Sequence, residues 1–284
     1  MFNSNISELI ARRYSCRSFE DRLIEEQKNK ALSDFLLNLT TSDFPSIRLR
    51  LLYKKEMKKE NLFTTGTYGL IRGASTFIAG ITELIRPMPW ENFGFLMEKA
   101  VIMATDMGIN TCWIGGIFDR KTCARVLDIR KNEIVPAVIA LGYAAPRKTL
   151  RDKVTRWSSG GDRRKPPGQL FFSQNLDHPL KYDDIGDHKM CLENVRLAPS
   201  ASNKQPWRII LASGSYHFYL NRDPLYSKLI PRVDLQRIDM GIAMFHFEQT
   251  ARESGLDFKT YHENPDLNDL PARFEYIVSY RITD

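Results

Sequence analysis

Two stretches of this chain align without a gap at an offset of 147 residues: NFGFLMEKAVIMATDMGIN (92–110) and DMGIAMFHFEQTARESGLD (239–257). Gly94 falls on Gly241, Met97 on Met244, Ala104 on Ala251 and Gly108 on Gly255. Each stretch reads as a buried or amphipathic helix that starts near one glycine and is stopped by the other, where glycine adopts a left-handed cap without strain. Such a pair in a chain of 284 residues points to two copies of one unit, each about half the chain. Four identities in nineteen also suit two unrelated glycine-bounded helices, so duplication is an expectation for the structure to meet. Each copy leads into a candidate strand, TCWIGGIF and FKTYH, and then into a second apolar run, VPAVIALGY and FEYIVSYRI. Helices interleaved with strands of this kind imply an α+β layered fold.

Between the copies, TRWSSGGDRRKPPGQLFF (155–172) cannot continue a helix, and it carries Arg163, Arg164 and Lys165 together. The expected organisation is an N-terminal half over 1–150, a basic Gly/Pro connection over 151–172 and a C-terminal half over 173–284. Near the start, two helices separated by a turn around Cys16 to Asp21 are expected, and LYKKEMKKENL (52–62) reads as an exposed charge run.

Composition narrows the classes. The net charge of +7 would suit an anionic partner, but the basic residues are scattered among 34 acidic ones, and no basic face with interleaved aromatics marks a nucleic-acid binder. Four cysteines without a CxxC pair favour a reducing compartment, and no run reaches the roughly 20 apolar residues of a membrane span. The N-terminus has no apolar run of signal-peptide length, so the chain reads as cytoplasmic, with neither nucleic acid nor membrane as partner. Five histidines show no metal-ligand spacing, and GxSxG, P-loop and GxGxxG elements are missing, so no metal site is expected and the easy routes to hydrolase, NTPase and Rossmann enzymes close.

Three less familiar motifs remain. In Arg13-Tyr14-Ser15-Cys16-Arg17-Ser18-Phe19, an extended turn would bring Arg13, Ser15 and Arg17 to one side, a hydroxyl and two guanidinium groups suited to an anion; a basic helix end in solvent fits equally well. In Thr111-Cys112-Trp113-Ile114-Gly115-Gly116, paired glycines in a strand-like run mark either close approach of a ligand to the backbone or a tight chain crossing. In ENVRLAPSASNKQPWRIIL (193–211), Pro199, Ser200, Asn203 and Gln205 gather amide and hydroxyl groups beside Trp207, either for the edge of a planar heterocycle or for an ordinary turn.

Taken together, these motifs resemble the FMN-dependent nitroreductase family, in the form with two nitroreductase-like halves fused in one chain. The likeness rests on RxSxRxF at 13–19, on Gly94 to Gly116, and on Ala198-Pro199-Ser200-x-x-Asn203-x-Gln205-Pro206-Trp207. The resemblance implies an α+β nitroreductase-like fold whose halves form an intramolecular pseudo-dimer around FMN. It implies that Arg13 and Ser15 hold the FMN phosphate, that Arg17 approaches the N1/O2 edge of the ring, and that the amides of Gly115 and Gly116 face N5. Trp113 would wall the ring, Pro199, Ser200 and Asn203 would pack on it from the other half, and Arg164 with Lys165 would complete the phosphate site. Tyr14, Ile114, Ala201 and Gln205 complete the expected contacts. Two positions depart from the pattern: Ala201 stands where many relatives carry a hydroxyl, and Gly115 where some carry Glu.

The implied reaction is ping-pong: NAD(P)H reduces the flavin at N5 and departs, and a nitroaromatic, quinone or similar flat small-molecule acceptor is reduced in the same space. No side chain is identifiable as a catalytic acid or base. A flavin-cleaving or dehalogenating relative, and a flavin-storing protein without turnover, are the alternative readings. RxSxR and the paired glycines occur only in the first half and APSxxNxQPW only in the second, so one FMN per chain is expected, with further oligomerisation left open.

Overall fold

The computed structural model describes residues 2–42, 44, 46–53, 71–116, 118–146, 163–227, 230, 232–265, 267 and 270–283. Most of the charge run 52–62, Ile117, and 151–162 of the basic connection lie outside the described residues.

Two long helices occupy the middle of the molecule. Helix α3 spans Pro89–Asp106 and helix α7 spans Leu235–Glu253. Both are buried along most of their length, and both carry buried polar side chains among the apolar ones, Glu91 and Glu98 on α3 and Gln236, Asp239 and His246 on α7. They pack on each other, and each also packs on one of two β-sheets.

The helices approach closely at their glycines. A Cβ on Gly94 would lie 2.1 Å from the carbonyl oxygen of Ile238, and one on Gly241 would lie 1.9 Å from that of Glu91. The two contacts are the same contact seen twice, because 241 − 94 and 238 − 91 both equal 147. Gly94 and Gly241 are therefore interior crossing points rather than the helix starts expected from sequence. Mid-helix glycine costs helix stability, and here the cost is offset by backbone-to-backbone packing that no other residue permits.

Gly108 and Gly255 do stop their helices. Gly108 and Gly255 have φ of +73° and +72°. The following N–H reaches back over the last turn in both, Ile109 to Ala104 O at 2.8 Å and Leu256 to Ala251 O at 2.9 Å. This is the hydrogen-bond pattern of a left-handed C-terminal cap.

Each helix then enters a strand, β3 (Asn110–Ile114) after α3 and β9 (Asp257–Tyr261) after α7. In the first sheet β1 (Ile47–Tyr53), β2 (Thr76–Glu83), β5 (Val138–Gly142) and β3 lie side by side in that order, with short β4 (Glu133–Ile134) also on β2. In the second, β7 (Trp207–Ala212), β8 (Ser215–Asn221), β10 (Phe274–Thr283) and β9 follow the corresponding order, and every neighbouring pair in both runs is antiparallel. One strand has no counterpart among the described residues of the first sheet. Strand β6 (Phe171–Ser173) adds to β7 in parallel, so Phe171 and Phe172, the end of the stretch read as connection, belong to the second sheet.

The remaining helices cover the central pair. Helix α1 (Ile6–Arg12) contacts both α3 and α7, and Asn5 caps it by accepting from Ser7 N–H at 2.9 Å. Helix α2 (Glu26–Ser42) buries Leu32, Leu36 and Leu39, one face at helical spacing. Of two short helices, α4 (Arg120–Val126) buries Cys123 in a cluster with Phe77, Cys112 and Val138 of the first sheet, and α5 (Lys189–Leu197) packs on α7. Helix α6 (Pro224–Ser227) precedes α7.

Between α1 and α2 the chain runs extended. Cys16 N–H donates to Thr111 O at 2.8 Å, and Phe19 N–H donates to Arg72 O at 2.9 Å. Ser15 and Cys16 thus lie against β3 at Thr111, while Ser18 and Phe19 bridge to Arg72 and Ala144, which brings the first motif beside the second.

Candidate functional site

A cavity of about 540 Å³ opens where β3 ends. Ser15 and Arg17 reach it from the extended segment, and Cys112, Trp113, Ile114, Gly115 and Gly116 from β3 and the bend after it. Pro199 to Ser202 reach it from the turn after α5, and Leu235, Ile238, Asp239 and Ile242 from one face of α7. Tyr226 of α6 and Ile230 complete that side. The three sequence motifs, whose cavity-lining residues are separated by more than 80 positions, therefore all contribute to it.

The paired glycines sit just beyond β3 rather than inside it. A Cβ on Gly115 would stand 2.9 Å from Leu235 Cδ2, so a side chain there would displace Leu235 from the cavity wall. Trp113 is fixed from behind: its indole N–H donates to Glu98 Oε2 at 2.8 Å. Cys112 is fully buried, and burial, only partly opposed by Arg17, pushes its thiol up to about 11. A thiol held protonated is a wall residue, not a nucleophile.

Six residues named from the sequence are absent from the cavity lining. Arg13 is buried behind it, with Nε 3.9 Å from Glu98 Oε1 and no hydrogen-bond partner for that Nε. Tyr14 packs against the smaller core cluster around Cys16 and Phe19. The other four form the frame of the turn. Arg164 donates to Leu197 O at 2.8 Å and to Ala198 O at 2.9 Å, which satisfies carbonyls left open at the end of α5, and to Asn203 Oδ1 at 2.7 Å. Asn203 Nδ2 in turn donates to Arg163 O at 2.7 Å. Gln205 Oε1 accepts from Lys165 N–H at 2.8 Å, and Gln205 N–H donates to Ser200 Oγ at 2.9 Å. Lys165 Nζ donates to Lys204 O at 2.8 Å; burial, with Arg208 and Lys204 nearby, lowers its ammonium to about 8.

This frame has strain to hold. Ser202, Asn203 and Gln205 have φ of +48°, +53° and +49°, left-handed values that residues with side chains adopt at a cost. The mesh around Arg164 and Gln205 compensates and leaves Pro199, Ser200 and Ala201 presented to the cavity.

Sequence reasoning missed the contribution of α7. Leu235, Ile238, Asp239 and Ile242 recur at spacings of three, four and seven, one helical face, and an aspartate within such a face is the signal that was there to find. Asp239 is 3% exposed and accepts from Ala201 N–H at 3.0 and 3.1 Å through its two oxygens. Burial raises its carboxyl well above the usual aspartate range; the Ala201 N–H opposes this and Asp234 adds to it. Among the described residues no group of three His, Cys, Asp or Glu side chains is placed to hold a metal ion, and no helix is long and apolar enough to cross a membrane.

The sequence matches the family described as "Putative TM nitroreductase" over residues 5–251. This chain belongs to that nitroreductase family. Its structure is similar to the crystal structure of "a putative nitroreductase" from Thermotoga maritima, with a TM-score of 0.56 at 20% identity, covering 99% of this chain and 94% of that one. A nitroreductase family protein from Clostridium difficile 630 covers 54% of this chain and 93% of its own length at 19% identity, with a TM-score of 0.41. A nitroreductase with bound FMN from Bacteroides fragilis covers 52% of this chain and 92% of its own at 17% identity, with a TM-score of 0.40. No curated protein matches the chain.

Proposed function

We propose that the chain is an FMN-dependent oxidoreductase built as a pseudo-dimer of two nitroreductase-like halves, passing reducing equivalents from NAD(P)H to a nitroaromatic, quinone or similar flat acceptor by a ping-pong route. The observation that carries the reading is the cavity itself, whose polar end is Ser15 and Arg17 and whose side walls are the Gly115-Gly116 backbone, Trp113, Pro199 and the apolar face of α7.

The residues fit the cofactor. A slot walled by Trp113, Ile114, Leu235, Ile238 and Ile242 suits the faces of a planar ring, and its edge-polar groups meet a hydroxyl, a guanidinium and peptide groups that no side chain covers. Bound there, FMN supplies two-electron chemistry between a nicotinamide and the acceptor. Ser15 binds the phosphate end and Arg17 stabilises negative charge at the ring edge. The peptide groups of Gly115 and Gly116 orient the ring, and Trp113 and Pro199 exclude water from its faces. Arg13 supports Trp113 through Glu98, while Arg164, Lys165, Asn203 and Gln205 hold the turn that closes the slot.

The pseudo-dimer is supported by the doubled contact of Gly94 with Ile238 and Gly241 with Glu91, because an isologous interface repeats each contact with the partners exchanged. The common strand order of the two sheets supports it as well. The halves are not equivalent at the site, however. At the offset of 147, His262 and Glu263 stand where Gly115 and Gly116 stand, and both are exposed. One chain therefore binds one FMN, in a protein that works in the cytoplasm.

The test is the visible spectrum of the purified protein, the ratio of released FMN to chain, and bleaching by NAD(P)H. A ratio near one, with bleaching and re-oxidation by a quinone, is expected. A ratio near two would overturn the single site, no flavin after FMN saturation would overturn the reading, and tight binding without bleaching would make the protein a flavin store.

A further inference from the structure

Asp239 interrupts the apolar face that α7 turns to the cavity, beside Ile238 and one turn from Leu235 and Ile242. It is the one carboxyl among the described residues of the lining. Its two oxygens share a single donor, Ala201 N–H, and no cation pairs with it among the described residues. A carboxylate with one peptide donor and no counter-charge is costly to bury, and the group avoids that cost by keeping its proton. A protonated carboxyl carries an O–H that must itself be donated. Ala201 offers Asp239 only a donor, so the O–H is left for whatever occupies the cavity.

We propose that Asp239 donates a hydrogen bond, and then a proton, to the acceptor molecule in the cavity, so that the site prefers flat acceptors bearing a carbonyl, quinone or nitro oxygen. The inference rests on the proposed function for the origin of the electrons. Reduction of a quinone to a hydroquinone requires two electrons and two protons. The nicotinamide co-substrate is the source of a hydride equivalent, two electrons with one proton. For the second proton, the O–H bond of Asp239 breaks as an O–H bond forms on the acceptor oxygen, and solvent water reprotonates the carboxylate after product leaves. The titratable groups facing Asp239 are Tyr226 from α6, Asp234 at the head of α7, and Arg17 and Cys112 across the cavity. Arg17 is the cation in this set, and a ligand lying between it and Asp239 screens one from the other.

A purely structural role, acceptor for Ala201 N–H, is distinguishable. Asn at 239 keeps an acceptor and a donor but has no acidic proton; Leu keeps neither. The infrared carboxylic-acid band of the purified protein near neutral pH is expected to lose the intensity of one group in Asp239→Asn. Calorimetric binding of coumarin, a planar lactone with a carbonyl oxygen, is expected to weaken roughly 3- to 10-fold in Asp239→Leu, the size of one net hydrogen bond. Coumarin binding should survive in Asp239→Asn, and binding of naphthalene should change little in either variant. Quinone reduction by Asp239→Asn is expected to fall about 100-fold or more in kcat with KM nearly unchanged, the range of general-acid catalysis. An unchanged infrared band would mean that Asp239 is ionised and would overturn the proposal, as would wild-type kcat in Asp239→Asn. Equal losses of coumarin and naphthalene binding would reduce Asp239 to a support of the turn. The infrared measurement needs no cofactor, so a protein that shows the band but never binds FMN refutes the proposed function and not the protonation of Asp239.

Discussion

Trp113 donates its indole N–H to Glu98 Oε2 across 2.8 Å, and this bond ties the wall of the cavity to the contact between the two central helices. Glu98 Oε1 lies 3.1 Å from His246 Nε2 on α7, and His246 Nδ1 lies 2.8 Å from Asn194 O. A carbonyl oxygen can only accept, so His246 Nδ1 donates to it. Nε2 faces Glu98 Oε1. The carboxyl thus serves the half-buried indole of Trp113, the buried imidazole of His246 and, at 3.9 Å, the buried Arg13 guanidinium.

Glu98→Ala is therefore expected to lower the unfolding free energy by about 3 kcal/mol or more in urea denaturation, because it strands buried Arg13 and leaves Trp113 and His246 without their acceptor. Glu98→Gln retains one acceptor oxygen and should lose less. A loss below about 1 kcal/mol in Glu98→Ala would show that these partners find other acceptors.

Gly94→Ala and Gly241→Ala should each destabilise the protein by about 3 kcal/mol or more, since the new methyl meets backbone oxygen at 2.1 or 1.9 Å and the helices must separate. Gly108→Ala meets nothing within 4 Å and has only its φ of +73° against it, so about 1 kcal/mol is expected there. Denaturant midpoints of the three variants measure the difference, and equal losses in all three would contradict the packing argument.

Glu91 supplies a pH dependence. It is fully buried on α3, and burial outweighs the attraction of Arg237, whose Nη1 is 3.2 Å away but not aligned for a hydrogen bond, so its carboxyl rises to about 7. The folded state holds this proton more tightly than the unfolded chain does. Its contribution is full below the unfolded value near 4.5 and is lost as pH climbs through about 7. The loss is on the order of 3 kcal/mol by pH 8, and Glu91→Gln should flatten the stability profile between pH 5 and 8. Parallel profiles for the two proteins in thermal melts would place the titration elsewhere.

Arg17 borders the cavity from the extended segment. If it stabilises negative charge on reduced FMN, Arg17→Ala should weaken reduced more than oxidised cofactor by about 1–3 kcal/mol. That corresponds to a fall of roughly 20–60 mV in a two-electron potential, readable by dye equilibration. An unchanged potential with FMN still bound would place Arg17 away from the ring.

The sequence by itself determined the local elements and the positions of the motifs. Cap glycines at 108 and 255, the strands that follow them, and the extended run from Ser15 to Phe19 are written in turn chemistry and periodicity, which act over a few residues. Nine of the fifteen residues named from the motifs line the cavity for the same reason: each motif is a short backbone shape that carries its side chains with it. Tertiary structure decided which polar groups face the cavity and which support it. Arg164 is drawn to the open carbonyls of α5 and to Asn203, 33 to 39 residues away, and Gln205 to the Arg163–Lys165 backbone. The sequence marks these residues as polar but does not state which partner satisfies them. Gly94 and Gly241 read as helix boundaries until the opposing helix is in place, because what selects glycine there is the backbone of Ile238 and of Glu91 on the other helix, far away in sequence. Asp239 reads as one more charge on a helix. Only when Ala201, Ile238 and Ile242 close around it does water leave, and the loss of that water turns an ordinary aspartate into a carboxyl that keeps its proton.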